Sequence, residues 1–174
     1  MILFVNTKMS HRPDRGKEID YKDECAPRLL ELAMIQTEMS GVVVQAEHIV
    51  IEHDSMSQMV KALEQFKSWC APCERLVAYN YTLAMLPIKA EFWFNYGKEP
   101  NFRRLLTQSV MKMVTEAVGA PGPYNKPKWP TLEQAYLHFF KTPLRSAPGV
   151  LNNLEATYQI YYKHLYDRDL PRPS

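Results

Sequence analysis

The sequence has little net charge, few cysteines and no long hydrophobic run. Lys and Arg number 21 against 19 Asp and Glu, a balance that argues against a strongly basic nucleic-acid binder while leaving room for a local basic patch. Three cysteines is an odd number, and the opening "MILFV" runs straight into polar sequence with no signal-type apolar region behind it. No apolar run approaches the roughly 18 residues that a bilayer span requires. These absences predict a soluble, cytoplasmic protein with reduced thiols. No internal repeat or domain boundary is visible, so residues 1–174 are expected to form one domain. Hydrophobic residues make up 46% of the chain, enough for a real core.

Met1 to Val5 is too short an apolar run for a helix and predicts a buried strand. "NTKMSHRPDRGKEIDYKDE" is polar and charged, and predicts a long loop of the kind that is usually functional or mobile. In "RLLELAMIQTEMSGVVVQAEHIVI" the β-branched and alternating residues predict two strands joined near Met39-Ser40-Gly41. Ser55 to Trp69 carries Met56, Met59, Val60, Leu63 and Phe66 at helical spacing, with Ser55 as N-cap. Leu76 to Tyr79 reads as a short buried strand. Thr82 to Tyr96 reads as a helix that Pro87 either kinks or enters in its first turn. Leu105 to Val118 starts like a strand and continues as a helix, and "GAPGPYNKPKWP" is a rigid connector. Thr131 with Gln134 fits a capping box for a helix through Phe140. Pro148 to Tyr166 predicts the last helix. The order predicts an α/β fold: a mixed sheet of about five strands, the first three in meander, flanked by helices on both faces.

Cys70-Ala-Pro-Cys73 invites a redox reading. That chemistry needs the first Cys at a helix N-terminus, where the dipole lowers the thiol pKa. Here Cys70 follows a helix and Cys73 precedes a strand, the reverse polarity. A zinc site would need further ligands, and beyond Cys25 and a histidine no second close pair exists. A structural helix-to-strand seam, broken by Pro72, is the better reading.

Four segments together resemble one family, the DnaQ-like DEDDh 3′–5′ exonucleases of ribonuclease H-like fold. "ILFVNTKMS" stands where the family has an apolar strand ending in Asp-x-Glu-Thr-x-Gly. "APRLLELAMIQTEMSGVVVQAEHIVI" is similar to its second and third strands. "RLVAYNYTLAMLPIKAE" stands where it reads Val-Ala-His-Asn-x-x-Phe-Asp. "PKWPTLEQAYLHFFKTPLRSAPGVLNNLEATYQIYY" resembles a Lys-Leu-x-x-Leu-Tyr helix followed by Ala-His-x-Ala-x-x-Asp. The resemblance implies a two-metal site held by four carboxylates, with a histidine as general base. This chain departs from it at every such position. Asn6 and Lys8 replace the first two acids, Ala84 the third (or a neighbour one position away), Pro148 the histidine and Asn153 the last acid. An ammonium at a metal position repels the cation and does not ligate it while protonated. Glu91 and Glu155 are the spare acids nearby.

The expectation is a pseudo-exonuclease with no catalytic residue, no metal and no cofactor, acting by binding. A protein partner comes first, from replication, repair or defence, as for a phage-like regulator. The alternative is a module that binds a single-stranded nucleic-acid 3′ end through Lys8, His11, Arg12, Tyr79, Asn80, Lys128 and Trp129, with Arg15 and Lys126 nearby. Residual metal-dependent exonuclease activity is the third reading.

Overall fold

The computed structural model describes residues 1–13, 20–52, 55–144 and 149–171. Five strands form one sheet in the order β3-β2-β1-β4-β5. They are β1 (Ile2–Met9), β2 (Leu29–Thr37), β3 (Val43–Val50), β4 (Arg75–Ala78) and β5 (Leu106–Ser109). β1 to β3 form the antiparallel meander, and β4 and β5 continue the sheet in parallel with β1. The predicted mixed α/β sheet with helices on both faces is therefore present.

Alternation along β1 divides the core. Leu3 and Val5 pack with Met59, Leu63 and Phe66 of α1 (Met56–Cys70) and Met85, Ile88 and Phe92 of α2 (Tyr81–Tyr96). Ile2 and Phe4 pack on the opposite face with Leu154, Tyr158, Tyr161 and Tyr162 of α6 (Val150–Tyr166). Phe4 meets Tyr158 and Tyr161 edge-on, with ring centroids 5.6 and 5.2 Å apart. Each such pair adds roughly 0.5–1.5 kcal/mol beyond its buried area. Three further helices, α3 (Val110–Met113), α4 (Thr115–Val118) and α5 (Leu132–Phe140), complete the α6 side.

Several expectations need adjustment. β1 does not stop at Val5. Backbone pairing with β2 carries it to Met9, so Asn6 and Lys8 are strand residues and the loop begins only at Ser10. β4 ends at Ala78, one residue early, and α6 starts at Val150 rather than Pro148. Pro87 lies inside α2, beyond its first turn. Ser55 occupies the cap of α1, but its side chain makes no capping bond. Thr131 does cap α5, and both bonds of the capping box with Gln134 are present.

The β2–β3 turn is held by the last helix. Gly41 takes φ +96, and its carbonyl accepts from Tyr158 Oη at 2.9 Å. Tyr162 Oη donates to the Glu38 carbonyl at 2.9 Å. A methyl group on Gly41 would meet Leu170 Cδ1 at 2.5 Å. Glycine is required here by both conformation and space.

Glu91 is a fully buried carboxylate on α2. Arg28 holds it with two bonds, Nε to Oε1 at 2.6 Å and Nη2 to Oε2 at 2.9 Å. The Leu29 amide adds a third bond at 3.2 Å. A buried charge is tolerated only when satisfied in this way. Glu91 therefore ties the start of β2 to α2 and is not a spare acid.

Candidate functional site

β1 and β4 run parallel, so their C-terminal ends point to the same edge of the sheet, with β1 reaching beyond the end of β4. Crevices outside such ends are the usual ligand positions of α/β sheets. The first turns of α2 and α6 both reach β1 here. Thr7 Oγ1 donates to the Ala84 carbonyl at 2.9 Å, and Asn6 Nδ2 donates to the Val150 carbonyl at 3.0 Å.

Pleating sends Asn6 and Lys8 to one face of the sheet, the α6 face. Lys8 lies opposite Glu31 in the β1–β2 register. Its Nζ donates to Glu31 Oε1 at 2.6 Å. His48 on β3, paired with Ala33, is the diagonal neighbour of Glu31, and its Nε2 lies 2.9 Å from Glu31 Oε2. Lys8, Glu31 and His48 form a charged row across three strands. The hydrogen bond from Lys8 holds the Glu31 carboxyl below the usual carboxylate range, against burial, which pushes it up, and with a lesser lowering contribution from His48.

The degenerate positions come together only in part. Asn6 and Lys8 share a face, and Asn153 sits in the first turn of α6, whose start is bonded to Asn6. Ala84 does not join them. Its side chain belongs to the apolar cluster of the opposite face, with Leu3 and Val5. Pro148 lies outside the described residues, as does Arg15.

Among the described residues, those around Asn6 and Lys8 do not fit a pair of divalent cations. Glu31 brings one carboxylate, and both of its oxygens already accept hydrogen bonds. Among the described residues no group of three His, Cys, Asp or Glu side chains is arranged to hold a metal.

Several of the predicted nucleic-acid residues also make contacts within the fold. Tyr79 Oη donates to the Pro130 carbonyl at 2.8 Å, and Asn80 caps α2 through the Leu83 amide. His11 bridges Ser10 and the Cys25 carbonyl, with exposed Arg12 beside it. Trp129 is different: it is 61% exposed, with Lys112 Nζ 5.5 Å from its ring centroid. Lys126 and Lys128 are exposed on the same connector, as is Tyr124 at 95%. Sequence reasoning missed Glu31, His48 and Lys112. Only the strand register and the connector's path bring them to their partners.

The cysteine pair behaves as a seam. Cys70 is the last residue of α1, and Cys73 Sγ donates to the Trp69 carbonyl while accepting from Gln36 Nε2. Burial pushes the Cys70 thiol up to about 12, the opposite of what a redox centre needs.

No family model matches the chain, and no curated protein matches its sequence. Solved structures do match its shape. One is described as the crystal structure of exonuclease I in complex with inhibitor BCBP. It superposes with a TM-score of 0.63 at 11% identity, over 95% of this chain and 41% of that one. The chain thus spans less than half the length of that exonuclease. At such identity the likeness concerns the fold, a mixed five-stranded sheet flanked by helices and consistent with the ribonuclease H-like fold.

Proposed function

We propose that this chain is an exonuclease-fold protein that does not hydrolyse phosphodiesters and acts by binding another protein. One observation carries the reading. At the end of β1, where the resemblance would have two acids, Asn6 clips the start of α6 and Lys8 is bonded to the Glu31 carboxylate. An ammonium within that row disfavours a divalent cation electrostatically, and both Glu31 oxygens already have hydrogen-bond partners that would compete with one. The protein partner is favoured by the free edge of β3, which exposes Val44 and Val50. An open strand edge with apolar side chains suits strand addition by a partner.

The test is a manganese titration by calorimetry beside digestion of 3′-labelled single-stranded DNA. Neither saturable metal binding nor shortening of the strand is expected. Tight binding with digestion would overturn the reading.

Single-strand binding without cleavage is the second reading, and the Trp129–Lys112 pair with Lys126 and Lys128 favours it. Exposed rings stack on bases and lysines meet phosphates. Salt-sensitive binding of a labelled oligonucleotide that Trp129→Ala weakens would select it over the protein partner.

A further inference from the structure

The cavity of about 530 Å³ between the C-terminal halves of α1 and α2 lies far from the residues just described. It sits on the other face of the sheet, at the N-terminal end of β4. Its apolar lining is Phe92, Phe102, Leu105 and Cys70. Its rim carries Lys67, Lys98 and Arg104 against Glu64 and Glu99. The two carboxylates are occupied. Glu64 accepts from Tyr96 Oη at 2.8 Å and from Lys67 Nζ at 3.4 Å, and Glu99 accepts from Tyr21 Oη. Two helix C-termini point this way, which would by themselves repel an anion. Lys67 in the last turn of α1 and Lys98 directly after Gly97, the C-cap of α2, offset them in part. The rim thus holds three cations against two carboxylates, with Arg104 exposed on it.

We infer that this cavity is a binding site for an amphipathic monoanion, a small molecule with an apolar body and a single acidic head. The size suits a small ligand, and an apolar wall with few converging polar groups is the common form of such sites. The body lies against Phe92, Phe102 and Leu105, and the head meets Arg104 and Lys98.

The probe is anilinonaphthalenesulfonate, with dodecanoate as an aliphatic competitor. The folded protein is expected to bind the probe saturably at one site, to release it to dodecanoate, and to gain thermal stability from dodecanoate. Arg104→Glu combined with Lys98→Glu, both on exposed residues, should weaken the probe by about tenfold or more. The same pair should leave binding of the uncharged parent anilinonaphthalene unchanged. Arg104→Gln repeats the test with a milder change. Amide shifts on titration should centre on residues 102–105. Absence of saturable binding, indifference of the probe to both variants, or shifts centred elsewhere would overturn the inference.

Discussion

Lys8 and Glu31 illustrate how a strand residue acquires a role from the residue opposite it. The pair is half in solvent, with the Lys8 side chain 57% exposed. Its net worth is therefore below about 1 kcal/mol. The Glu31 pKa is depressed in the folded state, so the unfolded chain takes up a proton there first as pH falls. The stabilisation is complete at neutral pH and disappears as pH drops through the folded carboxyl's range. Lys8→Ala is expected to lower stability slightly at neutral pH and not at all in strong acid, as read from urea midpoints across pH. The cysteines give a second residue-level expectation. Cys25 is exposed, whereas Cys70 and Cys73 are buried, with thiols pushed up chiefly by burial. Brief iodoacetamide treatment of the native protein should modify Cys25 alone, as counted by peptide mass spectrometry.

Two elements depend on single residues. Arg28→Ala strands the buried Glu91 charge and should cost about 3 kcal/mol, measured by denaturant unfolding. Arg28→Ala combined with Glu91→Gln should recover part of it. Gly41→Ala forces an L side chain into φ +96 and against Leu170. It should cost about 2 kcal/mol by the same assay. The β2–β3 hairpin itself is legible from sequence, because Val42 to Val44 and the Leu30–Ile35 alternation carry strand chemistry and Ser40-Gly41 carries a turn. The capping box at Thr131 is equally local. The extension of β1 through Asn6 to Met9 is not legible, since its polar residues look like loop and only pairing with β2 makes them strand. Glu31 and His48 stay hidden for the same reason. Their meeting with Lys8 is a fact of register, not of spacing along the chain.

At the scale of the whole molecule, both apolar clusters share one sheet, and β1 contributes alternate residues to each. They are expected to melt together. With Trp93→Phe and Trp129→Phe in place, Trp69 fluorescence reports the α1–α2 side, and amide exchange along residues 154–162, followed over the same temperatures, reports the α6 side. Their thermal midpoints should coincide, and separated midpoints would indicate two independent units.

The central position of β1 also bears on the order in which the chain assembles. Residues 2–4 are bounded on one side by residues 35–37 and on the other by residues 75–77. As the polypeptide leaves the ribosome, its first strand can find the hairpin early, yet its second flank stays bare until residues 75–77 have also been synthesised. Closing that longer loop carries an added entropic cost. A nascent chain stalled in between would present an apolar ribbon to solvent, the state for which a chaperone has most affinity.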